Sequence, residues 1–409
     1  MGDESIPLRW PAVWKDAGLL RLLQATAFRT VLVDSIKQSS KVVEQARKAG
    51  LTVVEAGALP PDTLLVRGLW PGVRLAPGGG DRAVAGPTGE PWVDSNGWRI
   101  RIARAQHPGA QIWVDAKPQA SRTSPADYAV AFADAAADGA KWAVNLDDRL
   151  AADLAANKPD AMAAWKKITD HAGFFKTVPP NSGGLDAVIG VVSSVGGTSL
   201  AFTSEVVNNL ARTKQQYRVI NSARMNAASL AGLKSVIYTE SLDPSSDLRK
   251  QLMDFVEAGG LLIAGPGWGK APKAPLAEGK QHPRFAVYAA GKGSIALATT
   301  NFGDAYRVPN DAVTLTTHYF DVVRFWNGGA ITPCLATSAD GRSAHVRVAF
   351  YSLMPVDDCT VWVRGTYKSA RFRTLPKTEL QTARLEARAD GTEVYLPPVS
   401  QYAEIEFAS

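Results

Sequence analysis

Short, continuous apolar runs recur along the N-terminal part of this chain, alternate with helix-like stretches, and mostly end on an acid. Thr30-Val31-Leu32-Val33 runs into Asp34, Thr52-Val53-Val54 into Glu55, Trp92-Val93 into Asp94, Ile112-Trp113-Val114 into Asp115, and Trp142 to Leu146 into Asp147. Thr63-Leu64-Leu65-Val66 ends instead on Arg67. Runs of this length without polar alternation suit parallel strands covered on both faces. Between them, Ser39 to Ala49 reads as a helix stopped by Gly50, Trp98 to Gln106 as a second, and Pro125 to Ala137 as a third behind the N-cap residue Ser124. An amphipathic stretch, Ala12 to Ala25, precedes the first run. The pattern implies an α/β fold whose simplest closure is a (β/α) barrel. Residues 1–180 fall short of the roughly 250 that eight full units take, so an incomplete barrel is expected.

A chain of 409 residues exceeds one compact domain. Pro179-Pro180-Asn181-Ser182-Gly183-Gly184 reads as a linker, and residues 77–90, with Gly78-Gly79-Gly80, as a long loop. From 185 to 305 the order is a buried strand (Ala187 to Val192), a helix (Ser204 to Thr213), strands at Tyr217 to Ile220 and Ser235 to Tyr238, a helix (Asp247 to Ala258) stopped by Gly259-Gly260, and a strand at Leu261 to Gly265. That is a doubly wound, flavodoxin-like pattern. From 310 to 409 a helical piece, Tyr319 to Trp326, precedes strands at Ala344 to Tyr351, Thr360 to Val363, Ala370 to Thr374, Glu393 to Leu396 and Tyr402 to Phe407. Their alternation and turn signals predict an antiparallel β-sandwich.

Composition narrows the function classes. The net charge is +6, but no Lys/Arg block of five or more appears, so the excess reads as solvated surface and no nucleic-acid partner is expected. No apolar run approaches the roughly 18 residues of a membrane span. The polar start Met1-Gly2-Asp3-Glu4-Ser5 lacks the order of a signal peptide. It leaves two locations open: cytoplasmic, or periplasmic or secreted with a native export signal replaced. Cys334 and Cys359 both lie in the third segment, as two buried thiols or as a disulfide. Two cysteines and five scattered histidines make no zinc motif, and no cofactor is expected.

The chemistry rests on where the acids fall. In a parallel barrel the strand C-termini converge on one rim, and that rim carries the active site. Glycosyl transfer needs two carboxylates there, one to protonate the leaving oxygen and one to attack or to activate water. Asp94 and Asp115 are the leading pair, with Asp147 and Glu55 in reserve and Asp34 and Arg67 as substrate-binding residues beside them. A strand-end Asp can equally cap the next helix. The segment Gly86 to Trp98 sets Asp94, Asn96 and two tryptophans beside a glycine-rich approach, and eight of the 11 tryptophans lie in the first segment. Aromatic faces stack on sugar rings while Asp and Asn bond hydroxyls. Trp70 and Trp98 are the expected platforms, with Asn96 and Asn145 as sugar-binding residues; Trp92, Trp113 and Trp142 read as core.

Weaker signals are the Ser193-Ser194-Val195-Gly196-Gly197 turn, Glu240 at a strand end and Gly265-Pro266-Gly267-Trp268-Gly269. The middle segment has no cysteine to serve as an amidotransferase nucleophile, so it is expected to be structural or to form a homo-oligomer.

Phe255-Val-Glu-Ala-Gly-Gly260 before Leu261-Leu-Ile-Ala-Gly265, then Ala290-Gly-Lys-Gly-Ser294, Leu396-Pro-Pro398 and Tyr402-Ala-Glu-Ile-Glu-Phe407 complete the pattern. With the strand-end acids, the layout resembles family 42 β-galactosidases and their clan. The resemblance implies a sugar-hydrolase barrel, an amidotransferase-like domain and a small β-sandwich. That family carries its acid on an Asn-Glu pair, which is absent here, so the resemblance transfers no catalytic residue. The expected function is hydrolysis of a glycosidic bond. The rivals are a non-catalytic carbohydrate-binding or scaffold protein, and a sugar lyase or isomerase using Asp and Arg67.

Overall fold

A computed structural model describes residues 5–76, 82–85, 91–119, 123–179, 185–269, 272, 282–300, 302–352 and 354–409. In chain order the first segment carries β1 (Ile6–Arg9), β2 (Phe28–Val33), β3 (Thr52–Glu55), β4 (Thr63–Arg67), β5 (Gly72–Val73), β6 (Val93–Asp94), β7 (Gln111–Asp115) and β8 (Lys141–Ala143). Its helices are α1 (Ser40–Lys48), α2 (Gly97–Gln106), α3 (Pro125–Ala137), α4 (Asp148–Ala155) and α5 (Pro159–Lys176). Gly50 takes a positive φ of 74° after α1, and Ser124 closes a capping box with Asp127 at the start of α3.

Two parallel sheets, β1-β2-β3 and β4-β7-β8, meet edge to edge. The join is a parallel bridge from Leu8 to Val144, with Arg9 N bonded to Val144 O and Val144 N to Pro7 O, each at 2.8 Å. Six strands thus run β3-β2-β1-β8-β7-β4. Among the described residues β3 and β4 are not hydrogen-bonded, so the ring stays open there. The sheet is strongly curved: Leu32 of β2, Val54 of β3 and Trp113 of β7 share one small cluster on its inner face, with Leu65 of β4 against it. Alternate residues Val31, Val33, Ile112 and Val114 point outward into the main core beneath the helices.

The middle segment carries β9 (Ile189–Ser193), α6 (Leu200–Leu210), β10 (Tyr217–Asn221), β11 (Ser235–Tyr238), α7 (Ser246–Glu257), β12 (Leu261–Ala264), β13 (Phe285–Ala290) and β14 (Gly293–Ala298). One sheet has the order β10-β9-β11-β12-β14-β13, parallel except for the β13–β14 hairpin. After α8 (Val308–Thr316), the third segment carries β15 (Val323–Trp326), β16 (Ile331–Thr337), β17 (Ser343–Phe350), β18 (Thr360–Arg364), β19 (Ser369–Thr374), β20 (Gln381–Thr382), β21 (Arg384–Ala387), β22 (Gly391–Tyr395) and β23 (Tyr402–Ala408). Antiparallel sheets β15-β18-β22-β21 and β16-β17-β23-β19-β20 face each other across one hydrophobic cluster.

Period-two alternation makes the second of these sheets a two-sided wall. Val346, Val348 and Phe350 of β17, with Ile405 and Phe407 of β23, fill the sandwich interior. Ala349, Tyr351 and Tyr402 turn the other way into the core of the first segment. Tyr402 meets Phe174 and Phe175 of α5 edge to face, with ring centroids 5.9 and 5.1 Å apart. On this outer face Glu404, buried, receives His345, Arg347 and Arg373, and Arg347 Nη2 reaches Pro179 O at 2.5 Å.

Several expectations change. Trp92-Val93-Asp94 is not a strand of the parallel sheet; β6 is one side of a two-residue antiparallel ribbon with β5, because Ser95-Asn96 leads at once into α2. The amphipathic stretch Ala12 to Ala25 holds a 3₁₀ turn, Ala17–Leu23. Tyr319 to Trp326 is a 3₁₀ turn followed by strand β15, where Val323 and Phe325 pack in the sandwich; the helix is α8, upstream. Cys334 and Cys359 are both buried free thiols, on or beside strands of different sheets. The 77–90 loop, apart from 82–85, and linker residues 180–184 lie outside the described residues.

Candidate functional site

The strand C-termini of the curved sheet bring charged side chains to one level. Backbone register sets Arg67 of β4 opposite Asp115 of β7, and Val33, just before Asp34, opposite Glu55 of β3. Arg9 closes β1 between the two halves, and its neighbour Trp10 anchors through N–H to Leu32 O at 2.8 Å. Arg9 holds the centre: its Nε bonds Asp115 Oδ1 at 3.3 Å, Nη2 pairs with Asp115 Oδ2, and Nη1 pairs with Asp34 Oδ1. One guanidinium thus joins two carboxylates that come from opposite halves of the sheet. They differ in solvation: the Asp34 side chain is 80% exposed, while those of Asp115 and Arg9 are 17% exposed.

Around this triad, Glu55 is half-buried and Arg67 is exposed, with no side-chain hydrogen bond or ion pair among the described residues. Asn145 is half-buried, and its carbonyl accepts from Tyr128 Oη at 3.3 Å. Half-buried Trp10 packs edge-on against Trp14 at 5.0 Å and donates Nε1 to Trp14 O at 2.9 Å. Neither Arg9 nor Trp10 emerges from the apolar-run pattern. Ile6-Pro7-Leu8 is too short, and too interrupted by Pro7, to register as a strand; the Arg-Trp pair directly after it is the signal that was there to find.

The other expected site residues go elsewhere. Asp147 caps α4, accepting from Arg149 N at 3.0 Å and Leu150 N at 3.2 Å, and so fills the helix-cap role. Asp94 sits on its ribbon against Arg74, with Nε to Oδ2 at 3.1 Å, and Trp92, with Nε1 to Oδ1 at 3.2 Å. Arg212 from the middle segment lies 3.8 Å over the Trp92 ring and donates to Val93 O at 2.8 Å; burial lowers its pKa to about 10. The structure therefore joins Asp115 to Asp34, and Asp94 to an inter-segment seam. Asn96, expected to bind sugar, is fully buried: its side chain ties Leu69 to Asp134 of α3. Trp70 packs in the main core against Tyr128 and Trp142, and Trp98 packs against the middle segment, so neither offers a ring face to a ligand.

No protein-family model matches the sequence, and neither does any curated protein. Among solved structures, the chain is similar to α-L-fucosidase isoenzyme 2 from Paenibacillus thiaminolyticus, with a TM-score of 0.57 and 11% identity over 95% of this chain and 79% of that one. It is also matched to the rhamnosidase of Novosphingobium sp. PP1Y (TM-score 0.49, 12% identity, 91% of this chain and 38% of that one). A β-galactosidase from Bacillus circulans sp. alkalophilus follows (TM-score 0.48, 10% identity, 75% and 61%). The first of these likenesses shows a glycoside hydrolase-like fold, mixed α/β, at low identity.

Proposed function

We propose that this protein is carbohydrate-active and that its strand-end rim hydrolyses a glycosidic bond. The supporting observation is the meeting of Asp34 and Asp115 on Arg9 at the C-terminal ends of β2, β7 and β1, the end of a curved parallel sheet where catalytic groups collect. In this reading the first segment is an incomplete (β/α) barrel, the middle segment an amidotransferase-like domain without a nucleophile that serves structure or self-association, and the last a β-sandwich. The name of the similar fucosidase points to the same substrate class.

Asp115, shielded and gripped at both oxygens by Arg9, is suited to a fixed electrostatic or nucleophilic role. Asp34, exposed, and Glu55 can approach a sugar from solvent. Arg9 would orient Asp115, and Trp10 supplies the half-buried aromatic edge at the rim. Arg67 and Asn145 would bond hydroxyls. A second reading, carbohydrate binding without cleavage, is favoured by one feature: Arg9 occupies both carboxylates at once, so a proton donor is freed only if that clamp opens.

A panel of chromogenic glycosides and polysaccharides tests this, with Asp115→Asn and Asp34→Asn as controls. Hydrolysis that falls about 10²–10⁴-fold in Asp115→Asn supports the catalytic reading. Saccharide binding without turnover supports the second. Turnover unchanged in both variants refutes the rim as the active site.

A further inference from the structure

Away from the rim, the C-terminal half of α2 and the edge strand β10 enclose a pocket of ≈ 370 Å³ at the seam between the first and middle segments. Its size falls within the range of small-molecule sites. Among the described residues four arginines line it, Arg101, Arg104, Arg218 and Arg224, and no acidic residue does. Leu185, Val219 and Ile220 supply apolar wall.

The arginines are unequally satisfied. Arg101 is spent: its Nε pairs with buried Asp138 at 2.7 Å and its Nη1 donates to Tyr217 O at 2.8 Å. Arg104 reaches only carbonyls, Asp138 O at 3.0 Å and Gly139 O at 3.3 Å. Arg218 makes two long bonds, to Ser229 O and Ala231 O at 3.4 Å each, and its buried Nε has no hydrogen-bond partner. Arg224 is exposed and donates from Nη1 to Gln106 O at 3.1 Å. None of these last three has a salt-bridge partner among the described residues. Burial lowers the pKa of Arg218, opposed by Asp186, and burial also lowers that of Arg104. Asp186 and Asp138 offset that burial only from a distance, for Arg218 and Arg104 respectively, and leave guanidinium N–H donors toward the pocket that an oxyanion with its lone pairs in the same plane can take.

We infer that this pocket binds a small organic anion, whose carboxylate or phosphoryl oxygens take the donors of Arg218, Arg224 and Arg104 while its body lies on the apolar wall. The site is distinct from the rim: it gathers on the half of α2 that precedes the start of β7, whereas the rim lies at the strand's other end. It therefore stands or falls separately from the hydrolase reading.

The test is calorimetric titration of the full chain at fixed ionic strength with glucuronate, glucose 6-phosphate, inorganic phosphate and glucose. The expected result is saturable, salt-sensitive binding of glucuronate or glucose 6-phosphate, none of glucose, and at least about tenfold weaker binding in Arg218→Gln. Arg224→Gln, at an exposed position, should weaken binding in the same direction with unchanged thermal stability, which covers the case in which the Arg218 variant misfolds. Failure of both sugar anions to bind, equal binding by wild type and Arg224→Gln, or inorganic phosphate binding as tightly as the sugar anions would overturn the assignment.

Discussion

Tyr351→Phe probes the polar joint that ties the sandwich to the first segment. Tyr351 Oη donates to Asp134 Oδ1 at 2.6 Å, and Asp134 also accepts from the Asn96 backbone N–H at 3.1 Å and from Asn96 Nδ2 at 2.7 Å. Desolvation pushes the Asp134 carboxyl up to about 7 against this donor set, because α3 is wholly buried there. A raised carboxyl pKa stabilises the fold below its unfolded value of 3.8, and that stability is lost as pH rises through about 7. Between those two values the difference amounts to about 4 kcal/mol. Removing the tyrosine hydroxyl keeps the ring and its packing but takes one donor from the carboxylate. At pH 8, where Asp134 is ionised, the loss should be about 2 kcal/mol, the scale of a charge-assisted bond; at pH 5, where it is protonated, about 1 kcal/mol. Urea unfolding of wild type and variant at both pH values measures the difference. An equal loss at both, or a larger one at pH 5, refutes the reasoning.

Glu404→Gln tests the opposite limb. Although burial opposes it, His345, Arg373 and Arg347 hold Glu404 down to about 2, so its stabilisation is present above 4.5 and disappears as pH falls toward 2. The variant should lose about 3 kcal/mol at pH 7 and show a flatter acid limb in thermal melts. Asp147→Ala should cost about 1 kcal/mol of stability through the lost α4 cap, with any glycosidase turnover kept, as read by denaturant midpoints beside the activity panel. Trp98→Ala should destabilise by about 3–5 kcal/mol while leaving the Michaelis constant unchanged, since the ring is core; a raised constant without destabilisation would restore it as a sugar platform.

Local chemistry was legible from the residues alone. The strand runs at Thr30, Thr52, Thr63 and Ile112, the Ser124 cap, the Gly50 stop and the alternation in β17 and β23 appear close to where apolar periodicity and capping put them, because each depends on neighbours within a few positions. The convergence of Asp34 and Asp115 was legible as a pattern of strand ends. Their shared partner Arg9 was not, because β1 takes its place only when Leu8 meets Val144 across the sheet. The apolar run at Trp92 is an equally good strand in isolation; the immediate start of α2 and the packing of Arg212 on Trp92 turn it into a ribbon. Asn96 and Trp98 have the composition of a sugar site, yet burial against Asp134 and the middle segment assigns them to structure. Periodicity says which face of an element is apolar. Which neighbour covers that face, and which charges then share a guanidinium or are left without a partner, depends on contacts between residues far apart in the chain, and only the assembled fold decides them.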